Sequence, residues 1–134
     1  MIKYRNGFKY QLCESYTVNL GLTIPKEILT NWFNMSTDGV LKVNSGYAWD
    51  GPSGPTFDTR NFMRGSLIHD VLYQAMRLEA LPMRFRGDAD VLLKMICIED
   101  GMSKLRAWWV YQGVRFGAKW SVLPSRERQL MMAP

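Results

Sequence analysis

The pentapeptide "HDVLY" holds the only histidine of the chain, His69, beside Asp70 and four residues before Tyr73. The next aspartates are Asp88 and Asp90, the second of them 21 residues after the histidine. An imidazole with one ring nitrogen donating to a carboxylate is held in one orientation, and its other nitrogen becomes a positioned general base. On a helical wheel, Leu67, Ile68, Val71, Leu72 and Ala75 form an apolar arc with His69 at its edge. Tyr73 stacks beside the imidazole, and Gly65 and Ser66 leave open space next to the ring. Asp70 projects about 100° round the same helix.

Asp90 lies between Leu93 and Cys97 on the wheel of a second helix that is apolar almost all round. A buried carboxylate without a partner costs several kcal/mol, so Asp90 needs one. An antiparallel pairing of the two helices would set it opposite His69. A local reason for Asp90 stands beside that one, because a carboxylate in a first turn suits the helix dipole. His69 likewise reads either as a base or as a structural residue at a core boundary.

The elements that must position these groups follow from pattern and punctuation. "FKYQLCESYTVNL" and "GVLKVNSGYAW" alternate as strands do, and Asp38-Gly39 suggests a hairpin. Between them, "IPKEILTNWF" fits a short helix or a strand, with Pro25 at an edge or a helix start. About two to four strands in a small antiparallel sheet are expected there. "DGPSGPTFDT" (residues 50–59) carries two glycines and two prolines, so a structured loop is expected. Asp58 or Thr59 can cap the helix that follows, which runs about five turns toward Pro82. Asp88 reads as the N-cap of the second helix and Gly101 as the residue just past its end. Ser103 caps a third helix running to Pro124, where Gly113 and Gly117 would let another helix pack close.

The whole is expected to be one α+β domain of 134 residues. Residues 1–49 are mainly β and pack on a helical half; 50–59 form the loop, 60–123 three helices and 124–134 a tail.

Bulk properties exclude several classes. Hydrophobic content of 47% with 22% charged residues argues against disorder. No apolar run reaches the roughly 18 residues of a membrane span. The N-terminus lacks the apolar core of a secretory signal, so synthesis in a host cytoplasm is expected. Cys13 and Cys97 read as two free, buried thiols, and a lone histidine without a CxxC pair rules out structural zinc. The net charge of +5 is spread along the chain and favours anionic partners weakly, without the concentrated patch of a dedicated nucleic-acid binder.

The order of a glycine-bearing loop, His-Asp-x-x-Tyr on a helix and an aspartate on the next helix resembles the calcium-dependent phospholipases that cleave the sn-2 ester. The minimal bacterial and parvoviral-capsid versions are the most similar, over Tyr47 to Lys94. The resemblance implies His69 as the base that activates water, Asp90 as its orienting carboxylate and Tyr73 as a hydrogen-bonding partner of Asp90. It implies Ca²⁺ held by Asp70 with backbone carbonyls of Trp49, Gly51 and Gly54. A second pattern, "GYAWDGPSGPTFDTRNFMRGSLIHDVLYQAMR" with the following "DAD" and "GVRFGAKW", resembles an uncharacterised phage-associated family of small proteins over Leu41 to Trp120. That implies a bacteriophage or prophage origin, other phage proteins as partners and a place in a virion or tail, and it brings no activity.

The third helix sets Trp108, Trp109, Tyr111, Phe116 and Trp120 among Lys104, Arg106, Arg115 and Lys119. One reading is a face resting on lipid head groups, with Trp108, Trp109, Lys104 and Arg115 as the contact set. Stacking on single-stranded nucleic acid is another. In the third, the tryptophans close the core and the basic residues are solvated.

Overall fold

The computed structural model describes residues 2, 4–5, 10–49 and 60–117, and their contacts divide the chain into two units, Met1–Asp58 and Thr59–Pro134. The first is antiparallel β and the second helical, so the chain is α+β.

Seven short strands build the first unit: β1 (Tyr4–Arg5), β2 (Tyr10–Leu12), β3 (Tyr16–Asn19), β4 (Ile28–Leu29), β5 (Phe33–Met35), β6 (Val40–Val43) and β7 (Ala48–Trp49). They form a three-stranded sheet in the order β1-β2-β7 and a four-stranded sheet in the order β3-β6-β5-β4. This exceeds the few strands expected, because runs of two or three residues are too short to show a two-residue period. Where a strand is longer the period is clean. Leu41 and Val43 of β6 are buried while Lys42 between them is exposed, and Phe33 and Met35 of β5 lie on the same buried face.

The Asp38-Gly39 hairpin is present between β5 and β6. Gly39 has φ +89°, and a Cβ there would come within 2.9 Å of the Leu22 backbone nitrogen, so the position admits only glycine. Ser36 and Asp38 close the turn by a side-chain hydrogen bond. The ambiguous "IPKEILTNWF" segment is the strand pair β4 and β5, turned by the Thr30 hydroxyl, which accepts from the Phe33 amide at 3.0 Å. Cys13 is exposed in the segment after β2, against the expectation of two buried thiols; Cys97 is buried, and both are free.

The second unit contains α1 (Arg60–Arg77), a 3₁₀ turn (Met83–Phe85), α2 (Arg86–Glu99) and α3 (Lys104–Gly117). The apolar arc on α1 falls where its period requires, with Leu67, Ile68 and Val71 fully buried. Both α1 and α2 end in Schellman motifs. On α2, the Met102 amide donates to the Cys97 carbonyl at 2.9 Å, with Gly101 at φ +104°. On α1, Ala80 donates to Ala75 at 2.9 Å, with Glu79 taking the left-handed conformation at φ +61°.

Asp88 is not the N-cap of α2, because the 3₁₀ turn runs straight into the helix and places Phe85 at that position. Ser103 does cap α3, its hydroxyl accepting the Arg106 amide at 3.2 Å.

Contacts run 64 to 100, 65 to 97 and 69 to 90, so α1 and α2 are antiparallel. At Gly65 a Cβ would lie 2.9 Å from Cys97 Sγ and 3.0 Å from Leu93 Cδ1. The space expected beside His69 at this glycine is therefore filled by α2, and it sets how closely the helices approach. Phe62, Leu93, Cys97, Met102, Ala107 and Val110 form a core shared by all three helices. No packing partner meets Gly113, where a Cβ would find nothing within 4 Å among the described residues. Residues 50–59, on which the expected loop and the expected Asp58 or Thr59 cap fall, and residues 118–134 lie outside the described residues.

Candidate active site

Three helices meet at Asp90, whose side chain has no exposed surface. His69 Nε2 stands 2.7 Å from Asp90 Oδ1, and the Tyr73 hydroxyl donates to the same oxygen at 2.6 Å. Arg115 of α3 donates from Nη1 to Asp90 Oδ2 at 2.9 Å. The His69 and Tyr73 rings stack at 4.0 Å between centroids. The pairing expected from the wheel is thus formed, by residues one turn apart on α1 facing a single residue of α2.

Burial pushes the Asp90 carboxyl toward protonation, but the bonds from His69 and Tyr73, the His69 charge and the bond from Arg115 outweigh it and hold its pKa below 3.8. The carboxylate is therefore ionised and can only accept, which assigns the bonding proton to His69 Nε2. In the neutral imidazole, Nδ1 then carries the lone pair. Burial alone would lower the His69 pKa; the carboxylates of Asp70 and Asp90 reverse this, and the net direction is upward from 6.5. Burial and the neighbouring Asp90 charge keep the Tyr73 phenol protonated far above neutrality.

Nδ1 lies 4.0 Å from Asp70 Oδ1, beyond direct hydrogen-bonding length. The His69 side chain is itself only 8% exposed and that of Asp70 35%, so Nδ1 faces a partly exposed carboxylate and Nε2 a fully buried one. Among the described residues no group of three or more His, Cys, Asp or Glu side chains converges as a metal site. Of the ligand set implied for Ca²⁺, Asp70 alone belongs to this unit. Trp49 is a buried residue of β7 in the other unit, opposite Tyr10 in the register, and Gly51 and Gly54 lie outside the described residues.

Arg115, in one reading a lipid-facing residue, is 34% exposed and reaches Asp90 with Nη1, a bond the sequence reading did not name; its own carbonyl accepts Arg86 Nη2 at 2.8 Å. The signal for it was Asp90 itself, a carboxylate on an apolar helix that required a cation. Arg86 Nε is buried and meets no hydrogen-bond partner among the described residues.

Trp108 and Trp109 do not close the core, since Ala107 and Val110 do so. Leu105, Trp109 and Phe116 are 69%, 63% and 85% exposed, Trp108 packs edge-on against Trp109, and Lys104 is exposed at the start of the same helix. Arg106 is not simply solvated, as Nη1 bonds Asn61 Oδ1 at 3.4 Å. Trp120 and Lys119 lie outside the described residues.

In the first unit a groove of about 330 Å³ lies on the four-stranded sheet, lined by Thr17, Glu27, Leu29, Asn34 and Lys42 among others, and it holds no comparable paired base. No helix among the described residues is long and apolar enough to cross a membrane. Comparisons with models of protein families, with curated proteins and with solved structures found no match for this chain.

Proposed function

We propose that the protein is a phage- or prophage-encoded ester hydrolase of the phospholipase type, with His69 as general base and Asp90 as the carboxylate that orients it. The observation carrying this reading is the 2.7 Å bond from His69 Nε2 to a buried, ionised Asp90, which leaves Nδ1, on the Asp70 side of the ring, as the lone-pair nitrogen.

In the reaction, Nδ1 takes a proton from a water molecule as its oxygen attacks the ester carbonyl. The imidazolium so formed is stabilised by Asp90, and its proton passes to the departing alkoxide, giving a carboxylic acid and an alcohol. Tyr73 keeps Asp90 Oδ1 in place throughout. Ca²⁺ bound at Asp70 and the preceding loop would supply charge for the oxyanion; no step here depends on it.

A second reading is favoured by the exposed stripe of Leu105, Trp109 and Phe116. In it the chain is a non-catalytic virion or tail component that docks by α3, and the same polar cluster serves only to lock the helices.

Fatty-acid release from phospholipid vesicles, with and without Ca²⁺, separates the two. The hydrolase reading expects release by the wild type and loss of at least about a hundredfold in a folded His69→Gln protein. Equal background release by both would leave the docking reading standing.

A further inference from the structure

The carboxylate of Asp90 has two oxygens with different tasks. Oδ1 receives both His69 and Tyr73, while Oδ2, among the described residues, is held by Arg115. A carboxylate turns easily about its terminal torsion, which is broad and roughly two-fold. With Oδ2 buried and unbonded, the group would rotate to share its two donors, and Oδ1 would leave its place before Nε2. Arg115 removes that freedom.

Arg115 is also anchored. Its carbonyl is bonded to Arg86, the first residue of α2, and its helix is fixed to the core by Ala107 and Val110. Asp70 and Tyr73 of α1, Arg86 and Asp90 of α2, and Arg115 of α3 are the charged and titratable groups named around the imidazole.

We propose that Arg115 is the positioning residue of the pair: from the third helix it fixes the plane of the Asp90 carboxylate, and so the direction in which His69 presents Nδ1. The helix hairpin of α1 and α2 supplies base and carboxylate, and α3 supplies their alignment. The catalytic consequence rests on the hydrolase reading; the alignment does not, and it can be read without any substrate.

The single histidine makes the measurement direct, because one Nε2–H proton resonance belongs to the whole protein. In the wild type this proton is expected as a slowly exchanging, low-field signal. In Arg115→Met it should broaden or disappear while circular dichroism reports an intact fold, and Arg115→Lys should restore it in part. In vesicle hydrolysis, Arg115→Met should lower kcat by about tenfold or more with KM nearly unchanged, as loss of an orienting partner does. A folded Arg115→Met protein with an unmoved Nε2–H signal would overturn the proposal. Should that variant not fold, the wild type still decides: Arg115 Nη–H protons must exchange slowly, and a freely rotating guanidinium refutes the assignment. If no protein in the series hydrolyses ester, the hydrolase reading fails while the resonance still judges the alignment.

Discussion

Two arginine–carboxylate clusters tie the helical unit together, and they differ mainly in how much water they meet. Near the C-terminal end of α2, Arg64 grips Asp100 with Nε and Nη2, both at 2.9 Å, and Nη2 also reaches Glu99 at 2.9 Å. Glu99 is 71% exposed there. Around Asp90 the donors are a histidine, a tyrosine and an arginine, and the carboxylate they bond has no exposure. The outer cluster is a rivet that water can replace. The inner one is a commitment, because removing a donor weakens the hold on a carboxylate that solvent cannot reach. Chemistry of the proposed kind needs the second arrangement, since only a desolvated carboxylate holds an imidazole in a single tautomer.

The sharpest way to break this contrast is Asp90→Ala. It leaves Arg115, His69 and Tyr73 without their shared acceptor and is expected to cost about 3–5 kcal/mol by urea unfolding. A loss near 1 kcal/mol would mean that the inner cluster is no more demanding than the outer.

A pH series on the wild type comes next in size. Asp90 has a lowered pKa, so its contribution is present above 3.8 and is lost as pH falls through the lowered value. His69 has a raised pKa, so its contribution is complete below 6.5 and is lost as pH rises through the raised value. The pair should stabilise the fold most between those limits. Hydrolysis should show the opposite trend on the alkaline side, rising as His69 gives up its proton. Stability that increases steadily from pH 6 to 9 would contradict the assignment.

The smallest effect is expected from Arg64→Ala, about 1 kcal/mol at low salt and less at high salt, measured by the same unfolding curves. A large, salt-independent loss would show that the rim behaves like the interior.

Much of the inner site was legible in the sequence, and the reasons are local. His69, Tyr73 and Asp90 sit on two consecutive amphipathic helices, where a 3.6-residue period fixes direction and an antiparallel hairpin fixes the partner. Arg115 was not legible in the same way. Its wheel position set it among aromatic and basic neighbours, and only the depth of Asp90 distinguishes an arginine that pairs inward from one that is solvated. For Trp109 only the core-closing reading fails, because the core of α3 is filled by the small Ala107 and by Val110. The first unit was readable where strands were four residues long, and at Asp38-Gly39, where the backbone demands glycine. Strands as short as β4 and β7 leave no pattern to find.

The antiparallel turn between α1 and α2 also bears on how the protein assembles. His69 and Asp90 are 21 residues apart, so bringing them together closes a short loop, with an entropy cost on the order of 3 kcal/mol before the constant term. Arg115 enters from 25 residues further on. The polar center therefore joins neighbours in the chain, and pairings of this kind belong to fast-folding topologies. The helix hairpin can meet across His69 and Asp90 as a local event, with α3 closing over it as the next segment of the same chain.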